Sequence, residues 1–423
     1  MIFSGSRDYA RIETESCRIL AGVGRCTKGR AKIVREDLQF NIAGGLGFEL
    51  PQMARVRQLF EHHGVDDVAK AVTDELARPE IMAKVKPGAK IAVGVGSRGV
   101  ANIDVAVRAL IGSLKAQGAD PFVFPAMGSH AGGTADAQAA LLAGYGVTES
   151  AVGAPVRATM DTILVTELDD GTAIHMDRFA HEADGVVLIN RVKPHTSFRG
   201  PVESGVIKMM IIGMGKINGA TAIHGGHPME NFGEVLPRAA GALMEHIPFL
   251  FGVGMVEDAH DDTAIVEAMP AETLFAREPV LQSRAKELMA RIYIDDIDVL
   301  VIDEIGKEIS GAGCDPNVTG HRNSPGFELP RVKKMVILDV TDATKGNATG
   351  IGSADVITHR LLGRVDFAAT YANTVTSTYL EGARIPIPMK TGRDAVRLAV
   401  KTLIGVQPAD ARIVRIRNTL KLA

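Results

Sequence analysis

The sequence predicts an α/β protein: two α/β domains with mainly parallel sheets and an active-site cleft between them. Short continuous apolar runs alternate with amphipathic segments of helix length, and Gly-rich turns separate the two. Strands that alternate with helices in this way are built into parallel sheets with the helices on their faces. One charged amphipathic segment, Glu272–Arg291, divides the chain into two such series.

Lys90–Val95 reads as a buried strand, followed by the turn Gly96–Ala101 and a helix over Ile103–Lys115 that stops at Gly118. Pro121–Phe124 is the next strand. The loop Ala126–Gly133 then leads into a helix near Thr134–Ala143, with Thr134 as N-cap and Asp136 in its first turn. Gly185–Ile189 is a further strand. In the second series, Ile297–Asp303 and Val332–Val340 read as central strands, and Asp355–Leu362 and Arg393–Ile404 as helices, the latter ended by Gly405. Arg412–Arg417 is a short β-like run. The expected division is a cofactor-binding domain over 1–275, a connecting helix over 276–295 and a substrate-contacting domain over 296–405. A tail over 406–423 can return to either domain, the first being the one expected. Residues 1–50 carry no assignable pattern.

With 47 Lys+Arg against 50 Asp+Glu and 4% aromatic residues, the chain has neither the charge nor the stacking surface expected of a nucleic-acid binder. An apolar fraction of 46% excludes intrinsic disorder. The longest apolar run, Ile207–Met214, holds Lys208 and Gly213 and is too short to span a bilayer. No secretory leader pattern opens the sequence. Three scattered cysteines, Cys17, Cys26 and Cys314, fit neither a disulfide framework nor a paired zinc site. A soluble cytoplasmic enzyme with no nucleic-acid or membrane partner is expected.

Three stretches carry the chemistry. Gly94-Val95-Gly96-Ser97-Arg98-Gly99 is a GxGxxG that follows a strand and opens a helix, the setting of a phosphate-binding turn. The acidic residue that would hold a ribose at the next strand tip is missing, since that tip reads Phe124-Pro125-Ala126. The loop therefore reads as a phosphate or carboxylate nest, through Gly96, Ser97 and Gly99, with Arg98 beside it. The second stretch, Met127–Thr134, sets His130 among glycines just past a strand's C-terminal end, where open α/β sheets bind ligands. The third runs from Asn190-Arg191-Val192-Lys193-Pro194-His195 through Glu203-Ser204-Gly205-Val206-Ile207-Lys208 and Gly215-Lys216 to His224-Gly225-Gly226-His227. Lysines and histidines interleaved with apolar residues mark a cofactor or metal region. The Gly-Gly inside HxxH is poor helix material for a shared metal.

In this order the residues resemble the nickel-pincer lactate racemase superfamily. Ser97-Arg98 matches its Ser/Thr-Arg turn, and His130 and His195 match its two histidines. Ser204-Gly205-Val206-Ile207-Lys208 matches the segment whose lysine can be joined to the cofactor. His224, sixteen residues beyond Lys208, matches the nickel-ligating histidine. The resemblance implies a nickel-pincer nucleotide (nickel pyridinium-3,5-bisthiocarboxylic acid mononucleotide), a small 2-hydroxy acid substrate and proteins that deliver the cofactor. It implies His130 and His195 as paired proton acceptors, Lys208 as cofactor residue, His224 as metal ligand and Arg98 as carboxylate partner. Lys307, in Asp303-Glu304-Ile305-Gly306-Lys307, is a second carboxylate candidate. The sequence departs from the family pattern in lacking an acidic residue before Arg98 and a Cys-Pro after Lys208, which marks a divergent branch. An NAD-dependent dehydrogenase using Gly94–Gly99, or a non-catalytic nucleotide- or metal-binding protein, are the rival readings.

Overall fold

The structure, a computed structural model, describes residues 40–96, 99–320, 326–377 and 379–422. Ser97, Arg98, Cys17 and Cys26 lie outside the described residues, as do His321 and Arg322 of the loop Gly311–Arg322, which by sequence is a candidate to shape the substrate pocket. Ile42–Ala423 form one compact unit that contains two five-stranded sheets.

The first sheet is built from β1 (Lys90–Val95), β2 (Asp120–Pro125), β5 (Gly185–Arg191), β6 (Phe249–Glu257) and β7 (Thr263–Pro270), in the order β2-β1-β5-β6-β7. All its pairings are parallel except β6 with β7. β3 (Thr162–Glu167) and β4 (Ala173–Asp177) form a separate antiparallel ribbon. The central strands are covered on both faces, which is why their sequences are unbroken apolar runs. Along β1 the pleat sends Ile91, Val93 and Val95 into one core and Ala92 into the other.

The helices follow from spacing. α1 (Val68–Leu76) and α2 (Ile103–Ala116) cover one face. α2 buries Ile103, Ala106, Val107, Leu110, Ile111 and Leu114, one stripe of a 3.6-residue period. α3 (Ala135–Gly144) starts at Thr134, whose hydroxyl accepts the Ala137 N–H, as its sequence predicts. On the other face lie the turn α4 (Val206–Lys208), a π-helical turn over Met209–Gly213, α5 (Lys216–Gly226) and α6 (Phe232–Met244). α7 (Leu274–Leu288) then leads to the second sheet.

That sheet is wholly parallel, with the order β11-β10-β9-β8-β12 for β8 (Asp296–Ile302), β9 (Arg331–Ile337), β10 (Val356–Thr358), β11 (Ile387–Met389) and β12 (Ile413–Ile416). Two expectations are corrected here. The C-terminal tail does not return to the first sheet: β12 pairs with β8, and the buried Asp298 carboxylate accepts the Arg412 N–H at 2.8 Å to hold its start. Asp355–Leu362 is not one helix. Its first half is strand β10, and a helix begins only at His359, capped by the Thr358 hydroxyl. The helix expected over Arg393–Ile404 is present as Gly392–Lys401. Among the described residues no single helix is long and apolar enough to cross a membrane.

The topology positions the site. The Gly96 turn, the His130 loop and the His195 loop leave the carboxyl ends of β1, β2 and β5, three neighbouring parallel strands. Lys307 and Asn317 lie on the loop that leaves the carboxyl end of β8. The β5 and β8 loops meet, since the Asn317 side-chain amide donates to the His195 carbonyl at 3.1 Å.

Candidate functional site

His195 sits in a loop held from beneath by Glu203. That carboxylate is fully buried and accepts the His195 N–H at 2.8 Å, the Gly200 N–H at 3.3 Å and an Arg199 guanidinium N–H at 3.4 Å. Lys286 of α7 reaches its other oxygen at 2.5 Å. A buried charge is tolerated only when so surrounded by donors. The Ser197 N–H donates to His195 Nδ1 at 3.1 Å, so the neutral ring carries its proton on Nε2. The ring lies 4.4 Å from Phe198, Phe198 meets Phe232 edge-on at 5.6 Å, and Phe232 lies 4.9 Å from the ring of His224. An aromatic pair thus links the two histidines.

Lys208 and His224 come together. Burial, and then the positive charge of Lys208, hold the His224 imidazole below its usual pKa, in the neutral form that donates a lone pair to a metal. The turn that carries Lys208 rests on Glu278 of α7. The Glu278 carboxyl is fully buried and accepts the Ile207 N–H at 3.0 Å, while its Oε1 has no hydrogen-bond partner. Burial pushes its pKa up to about 8 against the pull of the Ile207 and Val206 N–H groups. Gly205 is explained by this acid, because a Cβ there would sit 2.4 Å from Glu278 Oε1. His224 and His227 do not share a ligand position. α5 runs on through Gly225-Gly226, and His227 turns away to the Thr172 hydroxyl at 2.8 Å.

His130 stands exposed on a loop organised by Lys216. The Lys216 ammonium is fully buried, donates to the Pro125 carbonyl at the tip of β2, reaches Gln138 Oε1 at 3.3 Å and ion-pairs with Asp177 Oδ2 at 3.1 Å. Gln138 in turn donates to the Gly128 and His130 carbonyls at 2.9 and 3.2 Å. The loop also touches the segment after Lys208: the Gly128 N–H donates to the Gly213 carbonyl at 3.0 Å. Gly128 has φ +58°, and a Cβ there would meet the Ile212 carbonyl at 3.0 Å, so glycine is required.

The remaining expectations fare unevenly. Gly94 is a packing residue, since its Cβ would lie 2.5 Å from Leu188 and 2.8 Å from Phe124. Gly96 is buried, and a Cβ there would meet Asn190 Oδ1 at 2.5 Å and Met209 at 3.2 Å, which joins this turn to the Lys208 segment. Gly99 is exposed near Tyr145. Two of the glycines in the GxGxxG are therefore demanded by close packing against side chains. Lys307 donates to the Gly311 carbonyl at 2.6 Å within its own loop. A cavity of about 40 Å³ lies behind the His195 loop, lined by Arg191, Lys193, Glu257 and Asp315 among others. Residues whose part the sequence does not reveal are Glu203, Lys216, Glu278, Asp177 and Asn317. The one available signal is an ionisable residue inside an apolar or Gly-rich stretch.

Among the described residues, His62, Asp258 and Asp262 also place ligand atoms within 4.8 Å of one another. The Gly64 N–H donates to His62 Nδ1, which leaves the proton on Nε2, facing Asp262 at 2.9 Å. In that arrangement the imidazole turns no lone pair to a metal.

No protein-family model matches the chain, and no curated protein matches it. Among solved structures, the lactate racemase apoprotein from Thermoanaerobacterium thermosaccharolyticum has a similar fold, with a TM-score of 0.54 and 13% sequence identity. The match covers 85% of this chain and 93% of that one. The likeness is one of fold: mixed α/β with mainly parallel sheets.

Two predictions follow from the buried charges. Lys216→Met leaves Asp177 buried without its partner and is expected to cost about 3–5 kcal/mol in chemical denaturation. The double variant with Asp177→Asn is expected to recover part of that loss. Equal losses in the single and double variants would show that the pair is not the cause.

For Glu278, the folded pKa lies above the unfolded one, so its contribution to stability is complete below about pH 4.5 and fades as pH rises through about 8. Glu278→Gln does not titrate. Its stability relative to the parent is expected to rise between about pH 5.5 and pH 8, by at most about 1.4 kcal/mol per pH unit. A difference that stays flat across this window would mean an ordinary, ionised carboxylate.

Proposed function

We propose that this chain is a racemase or epimerase of a 2-hydroxy acid that works with a nickel-pincer nucleotide, the substrate passing through its 2-keto acid. The observation that carries the reading is the pairing of a neutral, half-buried His224 with Lys208 on the segment against which the His130 loop packs. The donor set fits the group. His224 offers an imidazole lone pair to nickel, and Lys208 offers an amine for attachment. The buried Gly96 turn adjoins Met209, next to Lys208 in sequence.

Held by His224 and Lys208, the nucleotide would supply hydride-accepting chemistry toward C2. The chain's own residues do the rest. A hydroxyl proton must leave as C2 becomes planar; His130 takes it on one face, and the imidazolium so formed gives it back to the C2 oxygen when hydride returns. His195, with Ser197 on Nδ1, presents Nε2–H and hydrogen-bonds the C2 oxygen from the other side. To act as base for the mirror-image substrate, the His195 ring exchanges tautomer and gives up the Ser197 bond. Arg98 holds the carboxylate with its two-pronged guanidinium, and Lys307 adds a second positive charge from the facing loop. Enclosure between the two sheets' carboxyl edges keeps the keto acid from escaping.

The packing of Gly94 and Gly96 counts against the dehydrogenase reading, because neither glycine is there to let a pyrophosphate approach. Cofactor delivery by other proteins remains part of the proposal.

The test uses protein produced together with the cofactor's biosynthetic enzymes and a panel of single-enantiomer 2-hydroxy acids, read by chiral chromatography. Racemisation of at least one acid is expected. His130→Ala and His195→Ala are each expected to lower it in both directions by about 10²–10⁴-fold; a variant that keeps the parent rate removes that histidine from the chemistry.

Metal analysis of the same preparations is expected to find nickel in the parent chain and its loss in His224→Ala. Undiminished nickel in that variant would exclude His224 as ligand. A mass increase localised to Lys208 by peptide mapping would report the covalent link.

A further inference from the structure

The peptide groups on either side of His195 are gripped by side chains, and part of the grip comes from the second sheet's loops. On the near side, buried Glu203 accepts the His195 N–H at 2.8 Å. The His195 carbonyl accepts from Arg199 Nη1 at 3.1 Å and from Asn317 Nδ2 at 3.1 Å. Asn317 is itself fixed. Its backbone N–H and side-chain amide both donate to Asp315 Oδ1, at 2.9 and 2.7 Å, and the Asp315 N–H donates to Thr419 Oγ1 at 3.0 Å. Arg199 leans on the second lobe as well. Its Nε donates to the Gly326 carbonyl at 2.7 Å, and its guanidinium lies 3.5 Å over the ring of Phe327. Gly326, with φ +85°, is the residue that lets the arginine stem approach, since a Cβ there would sit 2.2 Å from Arg199 Cγ.

We infer that Asn317 is a positioning residue that reaches across from the second lobe and, by holding the His195 carbonyl, fixes the turn through which Ser197 sets the His195 tautomer. The geometry gives the reason. The Ser197 N–H meets Nδ1 of a ring only two residues earlier, so that bond depends on the orientation of the 195–197 peptides. Those peptides are held by Glu203 from within the first lobe, and by Asn317 and the Gly326–Arg199 contact from the other. With the lobes docked, the Nε2–H tautomer is selected. With Asn317 withdrawn, the turn loses one of the two donors on the His195 carbonyl, and both tautomers become populated. The tautomer of His195 is thereby coupled to the contact between the loops of the two lobes. The inference rests on the proposal that His195 meets the substrate, but the tautomer itself is measurable without substrate or cofactor.

The experiment is long-range ¹H–¹⁵N correlation spectroscopy of the full chain labelled at histidine, above the pH at which the ring is charged, with His195 assigned by its loss in His195→Gln. The parent is expected to show a single Nε2–H tautomer. Asn317→Ala, and Asn317→Asp as a variant that keeps the shape but removes the donor, are expected to move both ring nitrogens toward the values of an exchanging mixture. Val318→Ala removes a buried side chain from Pro316–Thr319, the helical turn that carries Asn317, without touching the His195 carbonyl. It is expected to lower Tm and leave the tautomer alone. The inference is overturned if the parent ring carries its proton on Nδ1, if both Asn317 variants keep the parent tautomer, or if Val318→Ala shifts it as far as they do. A chain that passes this test yet racemises nothing would disprove the proposed function and leave Asn317's role intact.

Discussion

The lysine ammonium at position 216, sealed from water and clasped by the Pro125 carbonyl, Gln138 and Asp177, is the constraint on which the upper edge of the first sheet depends. It ties the tip of β2, the helix α3, the end of β4 and the start of α5 to one point. Burying a charge this deeply costs several kcal/mol before any partner is counted. Burial drives the Lys216 pKa down and the Asp177 pKa up, and each charge restrains the other. The pair reaches the His130 loop through Gln138, which meets Lys216 with its oxygen and holds the Gly128 and His130 carbonyls with its amide.

The same device recurs under each loop of the site. Glu203 supports the His195 loop, Glu278 supports the Lys208 turn, and the Arg191–Glu257 pair, 2.6 Å apart, closes the end of β5 against β6. The reason is general. A chain leaving a strand tip carries backbone N–H and C=O groups that no ladder satisfies, and at a ligand-binding edge helices cannot cover them. Buried ionisable side chains supply the missing partners. Glu278 shows the cost, with one oxygen left unpaired and a pKa pushed up to about 8.

The sheets were readable because their central strands are buried on both faces, so that Lys90–Val95, Gly185–Arg191 and Asp296–Ile302 stand out as apolar runs. Helices with a full buried stripe, such as Ile103–Ala116, were readable for the same reason. Strand β6, nine residues long and inside the first sheet, and helix α6 also escaped, and the other misses lay at edges and in short elements. Strand β10 is three residues long and runs directly into a helix, so apolar spacing blends the two. The destination of β12 is decided by Asp298, more than a hundred residues away in sequence. His130, His195, Lys208 and His224 carry visible chemistry in short motifs. Glu203 and Lys216 stand within the same stretch, yet a supporting residue is recognised only by what lies beside it in space. Asn317 and Glu278 come from distant segments, and no local pattern connects them to the histidine or the lysine they hold.

Fold likeness at 13% identity constrains backbone paths far more tightly than it constrains such supports. His130 and His195 lie on loops past strand ends, and Lys208 and His224 on the helices that follow β5, positions that the backbone path sets. Their protonation states, by contrast, are set by neighbours that differ from chain to chain. His224 is neutral because it is half-buried beside Lys208, and His195 carries its proton on Nε2 because Ser197 occupies Nδ1. The reaction a site of this shape can perform is therefore decided less by which histidines are present than by the buried groups that fix their tautomers and charges. In this chain the groups that hold the His195 peptides come from the loops of both sheets.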